Sequence, residues 1–347
     1  MIKIEKVTDK KGTTRTLDEV AELYWLELQK DKYNGNVNSY RKNLKSRIAK
    51  FCNNYSKRYS ALCTNLKDDT FLKKLICGFP NIKEWQSFGL NLSESLGDKT
   101  RKSAKKGTKT KIITLKDELE TIFNYETLQK YKITHWLGEK LNIAVCPYCN
   151  VQPLHLLEII NSQGKPEIVQ KFQFEHFYPQ NHFPFFAISF YNLVPSCANC
   201  NLRKSEKNTS TYSLIHPYQD SFHEKCAFSL DIKNVIDFVS HRKSIKPKFD
   251  LLVKNPVFSE TIENHNETFN FSDIHQEYKD VIEEIYWKKY VYNDSRIKEL
   301  ESIKGLDLQP EEINRFILGN YTEEKDFLKR PLSKLTHDIA EELGLLN

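Results

Sequence analysis

Apolar positions recur at helical spacing through the first hundred residues. Leu17, Val20, Ala21, Tyr24 and Leu28 fall on one helix face. Thr16-Leu17-Asp18-Glu19 at its head reads as a capping-box start. Tyr40, Leu44, Ile48, Phe51 and Tyr55 form a second apolar face, with Lys and Arg opposite. That basic side is read as the solvated face of a bundle helix, with a nucleic-acid contact face as the alternative. Residues 112–140 continue as helix. The pattern then changes to Tyr, Phe and β-branched residues around a cysteine-rich stretch. Phe172–His176 and Tyr191–Ser196 read as short strands, and 199–208 as a helix. Beyond 227, Ser272 is expected to cap a long helix with Ile274, Tyr278, Ile282 and Ile285 inward. Pro310 opens a short helix that Gly319 closes. Leu332, Leu335, Ile339 and Leu343 mark a last helix ending at Gly344. The expected class is α+β, in three regions: helical 1–140, cysteine-rich 141–226 and mainly helical 227–347.

Composition narrows this picture only slightly. Apolar content of 39% is enough for a core, and a net charge of +6 permits a polyanionic partner without demanding one. The basic run 99–111, KTRKSAKKGTKTK, has seven basic residues of thirteen and none acidic. It is expected to be a mobile loop, serving either as a phosphate-contacting arm or as a solubilising linker. The N-terminal MIKIEKVTDKKG has no apolar signal core, and no apolar run reaches membrane-spanning length. A soluble, cytoplasmic protein with no membrane partner is expected. In a reducing compartment its eight cysteines are read as thiols or metal ligands rather than a disulfide framework.

Cys146-Pro147-Tyr148-Cys149 and Cys197-Ala198-Asn199-Cys200 are two CxxC knuckles, 47 residues apart. Two knuckles complete a tetrahedral Zn²⁺ shell, and four thiolates leave no position for a reacting water. The expected zinc is therefore structural. Two unrelated CxxC pairs, one of them redox-active, are the alternative, but no βαβ context accompanies either. Cys52, Cys63, Cys77 and Cys226 lack such spacing and read as small core residues.

Between and just beyond the knuckles lie residues suited to phosphodiester hydrolysis. A hard cation such as Mg²⁺ or Mn²⁺ needs oxygen ligands, which Glu175 and Asn201 offer. Water needs a base, which His176 offers near neutral pH. Asn192 is placed to hold the histidine. Lys204, and with it Arg203, is placed to steady phosphate charge. An acid beside a histidine means little alone; the whole set at these intervals is the argument.

The order Glu-His, then Asn-Leu-Val-Pro, then Cys-x-x-Cys-Asn-x-x-Lys resembles the HNH endonuclease superfamily with its ββα-metal fold. The resemblance covers about residues 143–220, under a quarter of the chain. It implies a hairpin and a helix gripping one divalent ion, braced from outside by the zinc knuckles. By position, the family's metal-binding acid falls on Glu175, its base on His176, its middle asparagine on Asn192 and its last metal ligand on Asn201. The acid is usually Asp, so Glu175 is a departure that puts the ion's geometry in question. CPYCN, EHFYPQNHFP and YNLVPSCANCNLRKS, followed by Ile215-His216-Pro217-Tyr218, look like the HNH subunits of Septu-type anti-phage systems. That likeness implies DNA as substrate, an SMC-like or ABC-type ATPase as partner, and long helical flanks as its docking surfaces. The rival readings are a zinc-braced nucleic-acid-binding or scaffold subunit without catalysis, and an RNA-cleaving effector.

Other conspicuous residues carry less. His155 reads as a packed or edge histidine, and His182 as an incidental loop residue. His216 is an auxiliary phosphate or metal contact only as a minority reading. Phe183, Phe185, Phe186 and Phe190 read as core filling, as do Trp25, Trp85, Trp136 and Trp287 on their helices.

Overall fold

The computed structural model describes residues 2–30, 40–103, 107–205, 207–231, 249–303, 305 and 307–346. Side chains of 98–111 lie outside the description, as do residues 104–106 of the basic run. Chain order begins with the ribbon β1 (Lys6–Thr8) and β2 (Thr14–Thr16), then helices α1 (Leu17–Gln29), α2 (Tyr40–Tyr55), α3 (Ser60–Lys67), α4 (Asp69–Cys77) and α5 (Ile82–Gln86). Strands β3 (Ser95–Ser103) and β4 (Gly107–Thr114) precede α6 (Leu115–Ile122), α7 (Tyr125–Lys130) and α8 (Ile133–Leu141). The cysteine-rich stretch supplies β5 (Leu156–Ile160), β6 (Pro166–Gln170), β7 (Gln173–His176), β8 (Leu193–Ser196) and α9 (Ala198–Lys204). Then come β9 (Cys226–Leu230), β10 (Phe249–Val253), α10 (Ser259–Phe269), α11 (Phe271–Gln276), α12 (Lys279–Val291), α13 (Asp294–Glu301), α14 (Pro310–Leu318) and α15 (Ser333–Glu342). The strands pair as antiparallel two-stranded ribbons, so the class is α+β.

Local chemistry explains most boundaries. Thr16 and Glu19 close the expected capping box on α1, and Leu17, Val20, Ala21, Tyr24 and Leu28 are its buried face. Gly319 ends α14 with φ +71°, the left-handed conformation that glycine adopts without a Cβ penalty. Two expectations change. Ser272 caps nothing: Asn270, at φ +49°, starts α11, and the chain breaks at Tyr278 before α12. The single long helix is therefore two. The basic run, apart from residues 104–106 which lie outside the described residues, is no loop either. Its backbone pairs as β3 and β4, with Lys99 opposite Lys111 and Arg101 opposite Lys109. Backbone hydrogen bonding asks nothing of the side chains, so a segment without large apolar residues can still pair.

One continuous apolar core runs from Ile4 to Leu345 and unites all three regions. Trp85 lies flat on Phe185, with ring centroids 3.9 Å apart, so these aromatics fill core as expected. Cys52, Cys63 and Cys226 are buried, and Cys77 is partly so. Both ends of the chain pack on the first knuckle. Ile2 N donates to Pro147 O at 2.8 Å, and Leu332 N to Asn150 O at 2.7 Å. Asn150 is fully buried at φ +53° and ties Phe327 and Lys334 to the same point. Among the described residues, no helix is long and apolar enough to cross a membrane.

Candidate metal centre and the strand-strand-helix unit beside it

Cys146, Cys149, Cys197 and Cys200 are buried, and their Sγ atoms all lie within 4.8 Å of one another. Thiolates around one zinc at about 2.3 Å stand about 3.8 Å apart, so this set needs only a small contraction to hold the ion. The backbone already favours it. Cys197 N donates to Cys146 Sγ and Cys200 N to Cys197 Sγ, each at 3.4 Å. Hydrogen bonds from the other three cysteines hold the Cys197 thiol well below its ordinary pKa. Cys197 is also the N-cap of α9, so one sulfur both closes the centre and starts the helix. His265 Nε2 donates to Tyr148 O at 3.1 Å and braces the first knuckle from α10.

From this centre run β7 and β8, paired from Gln173 opposite Ser196 to His176 opposite Leu193, with α9 following directly. Alternation along β7 sends Glu175 and His176 to opposite faces. Glu175 turns inward. Lys204 Nζ donates to Oε1 and Tyr148 OH to Oε2, the latter at 2.7 Å. Lys204 is fully buried and also donates to His176 O at 2.8 Å. Burial pushes the Glu175 carboxyl up, against the pull of Lys204 and Tyr148. The sequence marks this arrangement faintly: Lys204 lies four residues after Cys200, and these two are the buried residues of α9. The role of Tyr148 inside its knuckle has no such signal.

His176 turns the other way. Its Nε2 donates to Ala187 O at 2.8 Å, which leaves the lone pair on Nδ1. Tyr125 meets the ring edge-on at 4.7 Å between centroids. Burial lowers the pKa of His176 to about 4, helped by the Lys204 charge and opposed by the Ala187 bond. The ring is therefore neutral at neutral pH.

The other expected site residues are placed as follows. The Asn192 side chain hydrogen-bonds elsewhere than to His176. Its amide accepts from Tyr178 N at 2.7 Å and donates to Tyr178 O and Phe186 O, clamping the loop that leaves β7. Asn201 donates to Gln173 Oε1, two residues before Glu175 on the strand. Arg203 spends its guanidinium on Thr268 O, Glu267 O and Asn270 Oδ1, at the carbonyl end of α10. Lys204 is thus turned inward rather than presented to a phosphate, whereas Arg203 is exposed and bonds to the end of α10. Of the expected ligands of a catalytic Mg²⁺ or Mn²⁺, Glu175 has both oxygens hydrogen-bonded internally, whereas Asn201 spends its amide N–H on Gln173 and not its carbonyl oxygen. His216 is a core residue under Phe79 and Phe177, with burial lowering its pKa to about 3. His155 and His182 are exposed.

No family model matches this chain, and neither a curated protein nor a solved structure matches it.

Proposed function

We propose that the chain is an HNH-type endonuclease that hydrolyses phosphodiester bonds in DNA. The observation that carries this reading is the β7–β8–α9 unit, bracketed by two cysteine knuckles, with a neutral, oriented histidine at the end of its first strand. His176 Nδ1 takes the proton from the attacking water. A neutral imidazole with its other nitrogen held by a carbonyl is the form a general base requires. Asn192 acts as a positioning residue, fixing the loop from which Ala187 reaches that ring. The zinc holds strand and helix in register and takes no part in the reaction. Mg²⁺ or Mn²⁺ would supply charge at the phosphate; no step is assigned through it, because both oxygens of Glu175 are already hydrogen-bonded inside the protein. In the setting the resemblance implies, the nuclease is the effector of an anti-phage complex and works beside an SMC-like or ABC-type ATPase in the cytoplasm.

The test is cleavage of plasmid DNA by the purified chain with Mg²⁺ or Mn²⁺ and the ATPase partner present. His176→Ala should abolish cutting. Comparing tRNA with plasmid integrity in expressing cells separates a DNA substrate from an RNA one.

One observation favours a second reading, a zinc-braced nucleic-acid-binding or scaffold subunit without catalysis. The Glu175–Lys204–Tyr148 cluster fills the place where a metal-binding acid would sit. Under that reading the wild type binds duplex DNA or its partner and cuts nothing with any divalent ion.

A further inference from the structure

A second group of ligand-type side chains lies away from the cysteines, where α15 packs against the segment before β9. His223, His337 and Asp338 each offer one ligand atom, all within 4.8 Å of one another. We propose that they bind a second transition-metal ion, of the zinc class, which staples α15 to residue 223. The proposal is independent of what His176 does.

Three details point to a cation rather than to a hydrogen-bonded cluster. First, Asp338 Oδ1 is buried and has no hydrogen-bond partner. Its other oxygen is fully served, by Lys334 Nζ at 2.8 Å and Phe228 N at 2.9 Å. A buried carboxylate oxygen left bare is costly, so a missing partner is implied there. Second, His223 Nδ1 stands 3.6 Å from that oxygen. This is too long for a hydrogen bond. It is near the spacing of about 3.3 Å between two N/O ligands of one tetrahedral zinc. Third, His337 Nδ1 donates to Thr322 O at 2.6 Å. That bond fixes the tautomer and leaves an unprotonated lone pair on Nε2, the arrangement common to metal-bound histidines.

Charge and coordination are met by one more residue. Glu341 lies one turn beyond His337, and its Oε2 is 3.7 Å from His337 Nε2. Being exposed, it can swing to the fourth position and supply a second negative charge. Lys334 is the opposing feature: its Nζ also sits 3.4 Å from His223 Nδ1. The ion would replace that long contact, while Lys334 keeps Asp338 Oδ2 and Cys226 O, the latter at 2.9 Å. Two imidazoles with carboxylates select zinc or cobalt over magnesium or calcium.

The experiment uses the untagged full-length chain, loaded with zinc, desalted and analysed for metal. About two zinc ions per chain are expected, one in each site. His223→Gln and Asp338→Asn should each retain only the cysteine-bound ion. Glu341→Gln, at an exposed position that folding does not need, should lose the second ion at a lower chelator concentration than the wild type. Cobalt titration reads the sites separately: the first equivalent gives intense thiolate bands, and the second only weak absorption from an oxygen and nitrogen site. A wild type that binds only the thiolate-ligated ion overturns the proposal. So does a second ion whose retention none of the three substitutions changes.

Discussion

At Asn192 both amide N–H groups and the carbonyl oxygen are used inside the loop that leaves β7, on Tyr178 O, Phe186 O and Tyr178 N. Replacing it with Ala would leave buried backbone groups unpaired, at about 1–3 kcal/mol for each. Asn192→Ala should therefore unfold at clearly lower urea, with a loss of about 3 kcal/mol or more over the three groups. The buried Glu175–Lys204 pair gives a second prediction. Lys204→Met removes the cation and leaves the carboxylate uncompensated, a loss of about 3–5 kcal/mol. Adding Glu175→Gln to that variant should restore much of the stability, as read by denaturant melts. If instead Glu175→Gln alone abolishes a metal-dependent activity while stability holds, Glu175 is a ligand after all. Residue types were legible in the sequence here, but directions were not. Adjacent positions on a strand face opposite ways, so Glu175 and His176 could not share a face within β7.

Among the elements, α1 and α14 were legible because their signals are local: a capping box in one, a proline start and glycine stop in the other. The knuckles were legible for the same reason, since each pair needs only two intervening residues. The hairpin β3–β4 was not, because its pairing is made between backbones and leaves no mark in a charge count. The split between α11 and α12 was hidden too, since the apolar spacing runs on across a break set by the backbone at Tyr278. Burial of histidines by several elements makes a pH prediction. His176 titrates at about 4, and His216 and His275 at about 3, each lowered chiefly by burial. Unfolded, each would take up its proton near pH 6.5. Between that value and the folded pKa, the unfolded chain binds more protons. Stability should therefore be full above pH 6.5, fall as pH drops towards 3–4, and lose nothing further through these groups below that. A stability curve flat from pH 7 to pH 4 would contradict their burial.

Across the whole molecule, the ends of the chain matter to the centre. Ile2 bonds to the first knuckle, and the segment 327–334 bonds to its neighbour Asn150. The sequence reads as a core and two flanks, and the buried apolar cluster draws residues from all three. Contacts far apart in sequence leave no short-range pattern, which is why this was not legible. Deleting residues 332–347 should loosen the cysteine centre as well as the tail: zinc should leave at lower chelator concentration, and the melting temperature should fall.

The central claim is that His176 is the base of a phosphodiester hydrolase. The most direct measurement compares plasmid cleavage by wild type and His176→Ala at equal zinc content and equal stability, with Mg²⁺ or Mn²⁺ and the ATPase partner present. Loss of a general base costs about 10²–10⁴ in rate, so the variant should be inactive on the assay's timescale. A variant that cuts as fast as the wild type would contradict the claim.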